Sequence, residues 1–189
     1  MIKSSVALAV VPATGDVSVR GMPLIERAVR NLLSAGCVRH VFICTPSPSQ
    51  FTAQGATVVL GDHSAGLRAA ISAFPDLRFA LVHDVSRAAT PPQVIKSVAE
   101  ALEAGAKAVI PVLPLTDTVK EVSPDGRILG TRDRSELRVM QSPLGASVEL
   151  LLRAKGDLPG GLGVPLATVP GHPHGLRIRT EFDVASVTP

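Results

Sequence analysis

A chain of 189 residues with a net charge of +3 is the size of one α/β domain and long enough to bury a proper core. With no Trp, no Tyr and five Phe, that core is aliphatic, which suits parallel strands covered by helices. The arginines are spread along the chain and stacking aromatics are scarce, which argues against a nucleic-acid partner. No apolar run approaches the ~20 residues needed to span a bilayer, and no signal peptide precedes the first apolar run. The expectation is a soluble cytoplasmic protein with no membrane partner.

Strand and helix patterns alternate from the start. The apolar run "VALAVVP" predicts a buried strand, and "MPLIERAVRNLLSAG" a helix. In that helix Leu24, Ile25, Ala28, Val29, Leu32 and Leu33 share one face, and Gly36 stops it. "HVFICT" and "TVVLG" predict strands. "SAGLRAAISAF" predicts a helix with Ser64 as its N-cap. "RFALVHD" predicts a strand ending in charge, and "PPQVIKSVAEALEAG" a helix with prolines at its start and Gly105 past its end. "KAVIPVL" predicts another buried strand.

The rhythm then changes. "DTVKEVSPDGRILGTRD" alternates apolar and polar residues around "PDG", a hairpin signal. A two-stranded arm of this kind is not stable alone in water, so it must lie on its own domain or on another subunit. "LRVMQSP" predicts a strand and "GASVELLLRAKG" a helix. "PLATVPG" and "LRIRT" predict two short strands, and "EFDVASV" a last short helix. The fold class expected is α/β: a Rossmann-like, doubly wound, mostly parallel sheet over residues 1–189, with a projecting β-hairpin arm at residues 114–140.

In such sheets ligands sit beyond the carboxyl ends of the strands. That directs attention to "PATGD", "LGDHS", "VHDVSR" and "RIRT". The sharpest of these is "LVHDVSRAATP". Asp84 suits a divalent metal or a sugar hydroxyl, and Arg87 suits a phosphate through its fork of donors. The alternative is that Asp84 caps the turn and pairs with Arg87; residue chemistry leaves the two even. His83 is expected to hydrogen-bond its own loop. Cys37 and Cys44 read as buried thiols, and no zinc-ligand spacing links them to the histidines. The Gly-x-Gly-x-x-Gly fingerprint of dinucleotide binders is absent.

Several of these segments together resemble one family, the 2-C-methyl-D-erythritol 4-phosphate cytidylyltransferases of non-mevalonate isoprenoid biosynthesis. "AVVPATG" resembles that family's first strand and loop start, and "LVHDVSRAATP" its His-Asp-Ala-Ala-Arg-Pro segment. "PVLPLTDTVKEVSPDGRILGTRDRSELRVMQSP" resembles its arm almost throughout, and "LRIRTEFDV" its Ile-Lys-Val-Thr-x-x-x-Asp-Leu ending. The resemblance covers most of the chain, and the arm is its most specific part. It implies transfer of a cytidylyl group from CTP to methylerythritol phosphate with release of pyrophosphate and with Mg2+, in a homodimer that exchanges arms. On the same resemblance Asp84 and Arg87 would face the sugar phosphate and the metal. Thr118 and Arg134 would reach the phosphate from the neighbouring subunit. Ala13, Thr14, Gly15, Gly61, Asp62 and Ser64 would surround the nucleotide.

The departures concern the nucleotide side. The family's first loop runs roughly Ala-Ala-Gly-x-Gly-x-Arg and on to a Lys-Gln pair. Here Gly15 passes to "GMPLIERA" through five residues, Asp16 to Arg20, without the second glycine or the lysine. Arg20 is the cation left there, and Arg177 stands where the family has its late catalytic lysine. Asp16 would carry negative charge toward a triphosphate; at ~4 Å and an effective dielectric near 20 that repulsion is about 4 kcal/mol. The expectation is a cytidylyltransferase-like protein with impaired or lost catalysis. The alternatives are an active enzyme with an abbreviated loop, and a non-catalytic binding or regulatory subunit that pairs with an intact homologue as a hetero-dimer.

Overall fold

The structure, a computed structural model, describes residues 5–11, 18–47, 51 and 53–187. Strand β1 (Ser5–Val10) is followed by two two-residue strands, β2 (Ser18–Val19) and β3 (Met22–Pro23), and by α1 (Leu24–Ser34). Then come β4 (Val38–Thr45), β5 (Ala56–Leu60), α2 (His63–Ala73), β6 (Phe79–Asp84), α3 (Pro92–Glu103) and β7 (Ala108–Pro114). The arm is β8 (Val119–Val122) and β9 (Ile128–Arg132). It leads to β10 (Arg138–Met140), β11 (Leu144–Ser147), α4 (Val148–Arg153), β12 (Ala167–Pro170) and α5 (Glu181–Ser186).

The main sheet runs β10-β7-β11-β6-β1-β4-β5, with β12 also on β7. β1, β4, β5 and β6 pair in parallel, as do β7 and β12; β10 and β11 run antiparallel to their neighbours. Val109 pairs with both β11 and β12, and Val112 with both β10 and β12. So β10 and β11 lie in line along one edge of β7, and β12 along the other. Pro111 would weaken an ordinary central strand, because it has no N–H to give. Its carbonyl accepts from Gln141 N, so its missing N–H faces the break between β10 and β11, where no ladder bond is demanded.

Period-two alternation in β1 divides the core. Ala7 and Ala9 face the layer of α1 and α3, with Leu32, Ile95, Val98 and Leu102. Val6 and Leu8 face the layer of α2 and α4, with Leu67, Ala70 and Leu151. Two glycines allow close approach. A Cβ at Gly66 would lie 2.3 Å from Cys44 Sγ, and one at Gly145 2.6 Å from Val98 Cγ1, so α2 and α3 sit lower on the sheet than a side chain would permit. The inner face expected for α1 is the observed one: Ala28, Val29 and Leu32 are buried, with Leu24, Ile25 and Leu33 packed beside them. Gly36, at φ +76°, ends the helix as a left-handed residue.

Two expected features differ. Ser64 is not the N-cap of α2. The helix begins at His63, and Asp62 Oδ1 accepts from Ser64 N and Ala65 N at 3.0 and 3.1 Å. Ser64 is already inside the first turn, where its side chain no longer faces the open N–H groups. "LRIRT" is not a sheet strand. Ile178 N bonds to Ser86 O at 2.7 Å, so this segment is pinned to the loop after β6 instead of to a ladder. A third small cluster, Val19, Ala89, Ile178 and Val187, anchors it there.

Candidate functional site

The carboxyl edge of the sheet opens into a cleft of about 1010 Å³. Val10 from β1 and Asp84 from β6 line it, together with Ser86, Arg87, Arg177 and Arg179. The loop after β6 is held from several sides. Asp84 Oδ1 accepts from Ser86 N and Ser86 Oγ, at 2.9 and 2.6 Å. Asn31 on α1 donates to the carbonyls of Ala88 and Thr90, at 2.9 and 3.2 Å. Thr90 Oγ1 closes back on Arg87 O at 2.8 Å.

Asp84 thus caps the turn, as one of the two even readings had it, but its ion pair is not with Arg87: Oδ2 takes Nε of Arg177 at 3.0 Å, from the far end of the chain. The physical reason is that Arg87 is committed elsewhere. Its guanidinium donates to the backbone carbonyls of Gly175 and Met140 and ties two loops together. Burial, then the charges of Arg177 and Arg179, lower its pKa from the ordinary arginine value, against the pull of Asp84.

Opposite this loop the segment 171–175 is shaped by Gln141. The buried amide donates through Nε2 to His172 O and accepts at Oε1 from His172 N, both at 2.8 Å. Gly171 and Gly175 lie flat on that amide; a Cβ on either would approach Oε1 to 2.2 or 2.9 Å. His83 is wholly buried behind Asp84. Its Nδ1 lies 3.0 Å from Ser142 Oγ, and that oxygen accepts the Asp84 N–H at 3.0 Å. Its ring also bonds the backbone of Arg87, so the hydrogen bond expected to its own loop is present, and the Ser142 contact adds a second one that reaches across the sheet to the segment after β10.

Of the other candidates, those among the described residues do not line this cleft. Ala13, Thr14, Gly15 and Asp16 lie outside the described residues. Gly61 and Asp62 shape the start of α2: Gly61 has φ +128°, and the Asp62 carboxylate is occupied by the cap, which holds its pKa below the usual range. Of "LGDHS", His63 lines the cleft rather than Ser64. Arg20 and Gly21, with φ of 53° and 75°, form the two-residue turn between β2 and β3. Thr118 and Arg134 are exposed on the arm side and are not part of the cleft lining; Arg134 donates to Thr116 O. Sequence reasoning passed over Gln141, Ser142, His63, Asp157 and Arg179. Gln141 and Ser142 stand in the quoted "MQSP" segment, and Arg179 two residues after Arg177.

A sequence profile for IspD, 2-C-methyl-D-erythritol 4-phosphate cytidylyltransferase, matches residues 16–188. The chain belongs to this family. A cytidylyltransferase of that description from Saccharopolyspora erythraea is 39% identical, with 89% of this chain and 86% of that protein covered. One from Rhodococcus jostii is 36% identical, covering 94% and 91%. Among solved structures, the cytidylyltransferase from Thermus thermophilus superposes with a TM-score of 0.76 at 24% identity, covering 97% of each chain. The synthase structure from Anaerococcus prevotii gives 0.78 at 17%, covering 98% and 96%. These likenesses bear on the fold: the family's Rossmann-like α/β sheet is the one described above. Among the described residues, no helix is long and apolar enough to cross a membrane.

Proposed function

We propose that the chain binds methylerythritol phosphate and CTP at the Asp84 cleft and performs cytidylyl transfer, with a weakened nucleotide side. The observation that supports the acceptor half is the arginine-rich wall at the carboxyl edge of the sheet, with Asp84 oriented by Arg177. In the reaction an acceptor phosphate oxygen attacks the α-phosphorus of CTP. The bond from that phosphorus to the β-phosphate oxygen breaks, and pyrophosphate leaves. Positioning and charge neutralisation supply most of the catalysis in such a step. Arg177 holds the Asp84 carboxylate in one orientation and adds positive charge. Arg87 fixes the loops that frame the cleft.

Magnesium fits here in a substrate-shared mode. Among the described residues there is no group of three or more metal-binding side chains, and Asp84 is the carboxylate at the strand end. One carboxylate plus substrate phosphates is an ordinary donor set for this ion. Bound there, it would neutralise phosphate charge.

The weakened nucleotide side rests on the five residues from Asp16 to Arg20, where the family has a longer loop with a lysine. An aspartate within ~4 Å of the triphosphate would lower the rate by roughly a thousandfold. The exposed arm supports a homodimer that exchanges hairpins, and such exchange would also allow a hetero-dimer with an intact homologue. The test is pyrophosphate release from CTP and methylerythritol phosphate with magnesium, beside an intact family member. Slow turnover that rises in Asp16→Asn is the expected result. Turnover equal to the intact enzyme would remove the impairment; none at high protein concentration would remove the enzyme reading.

A further inference from the structure

Three guanidiniums, Arg87, Arg177 and Arg179, share the cleft, and their commitments differ. Arg87 places its fork on two backbone carbonyls, and Arg177 places Nε on Asp84. Arg179 gives its backbone N–H to Asp183, whose carboxylate its charge also helps to hold below the usual range, but among the described residues its guanidinium makes no hydrogen bond or close ion pair. Its direction is set by the backbone. Ile178 is buried in the small apolar cluster while its N–H bonds to Ser86 O. Arg177 and Arg179 on either side of it are exposed, and both line the cleft.

The electrostatics point the same way. Arg87 is shifted downward in part by the charges of Arg177 and Arg179, so like charges are held together at a partly buried place. The other charged or titratable groups lining the cleft are Asp84, already engaged by Arg177, together with Asp157 and His63. An incoming dianion relieves that repulsion and offers acceptors to donors that are otherwise unengaged.

We propose that Arg179 is a substrate-binding residue that takes the phosphate oxygens of the phosphomonoester acceptor. This deepens the function proposed above and rests on it for the identity of the acceptor. The experiment is calorimetric titration of the full chain with methylerythritol phosphate, with unphosphorylated methylerythritol as control. The variants are Arg179→Ala and Arg179→Lys. Arg179→Ala is expected to weaken the phosphate ester at least tenfold and leave the control unchanged, with partial recovery in Arg179→Lys. Circular dichroism and the melting temperature verify that the variants fold. Equal affinity of wild type and Arg179→Ala would overturn the proposal, and so would absence of phosphate-ester binding by wild type. The two proposals separate cleanly: Arg179-dependent binding without pyrophosphate release keeps this inference and removes catalysis.

Discussion

His83 has no contact with solvent, one residue before the cleft carboxylate, and its burial has a consequence in pH. Burial holds the imidazole pKa down at about 4, against 6.5 for a free histidine, with the Asp84 charge opposing and the Arg87 charge adding. The folded ring therefore stays neutral while an unfolded one takes up a proton. Above pH 6.5 the group has no effect on stability. As pH falls from 6.5 toward 4 it destabilises the fold by up to about 3 kcal/mol. Urea unfolding between pH 7 and pH 4 should show that loss, and His83→Asn should lose less over the same interval. A His83→Asn curve parallel to wild type would contradict it. A histidine at the end of an apolar strand was legible in "LVHD" as a residue with a local hydrogen bond. Its partner Ser142 was not, because 59 positions separate them in the chain.

At the scale of elements, the cleft is framed by segments that meet through side-chain-to-backbone bonds. Gln141 acts as a stand-in for a strand partner: its amide gives and takes one bond each with His172. Gln141→Ala would leave a buried N–H and C=O without partners and open space beside Gly171 and Gly175. A destabilisation of about 1–3 kcal/mol is expected from thermal unfolding, together with a higher KM for the phosphorylated acceptor and a smaller change in kcat. An unchanged melting temperature would contradict this role of Gln141. The helices and most strands were readable here, since α1, α2 and α3 carry plain period-3.6 faces and α3 starts on prolines. The "LRIRT" strand was misread because alternation alone does not tell a ladder from an irregular segment pinned by one buried Ile178.

In the whole molecule, the arm is the element that stands uncovered. β8 and β9 form a two-stranded sheet of their own, joined through the turn at Ser123 and Gly126. Ile128 and Leu129 are neighbours on β9 and so point to opposite faces, yet they are 68% and 67% exposed. Among the described residues neither of these two side chains is covered, and an isolated hairpin is marginal in water. The proposed arm-exchanged homodimer would bury both. Sedimentation equilibrium should give twice the chain mass, and Ile128→Asp with Leu129→Asp should shift it to the monomer. A monomeric wild type at micromolar concentration would reject the dimer. The same exchange would bring Thr118 and Arg134 to a neighbour's cleft, which they do not line in their own chain.

The sequence by itself determined the α/β class, the hairpin arm and the family, because these are written in local periodicity, turn chemistry and contiguous motifs. Only the tertiary structure decided how the charged residues share their bonds. Asp84 pairs with Arg177 across 93 positions while Arg87 holds two loops, and Arg179 is left facing the cleft. The reason is physical: a side chain's partner is set by which backbones the core brings within about 3 Å, and no residue pattern along the chain encodes that distance.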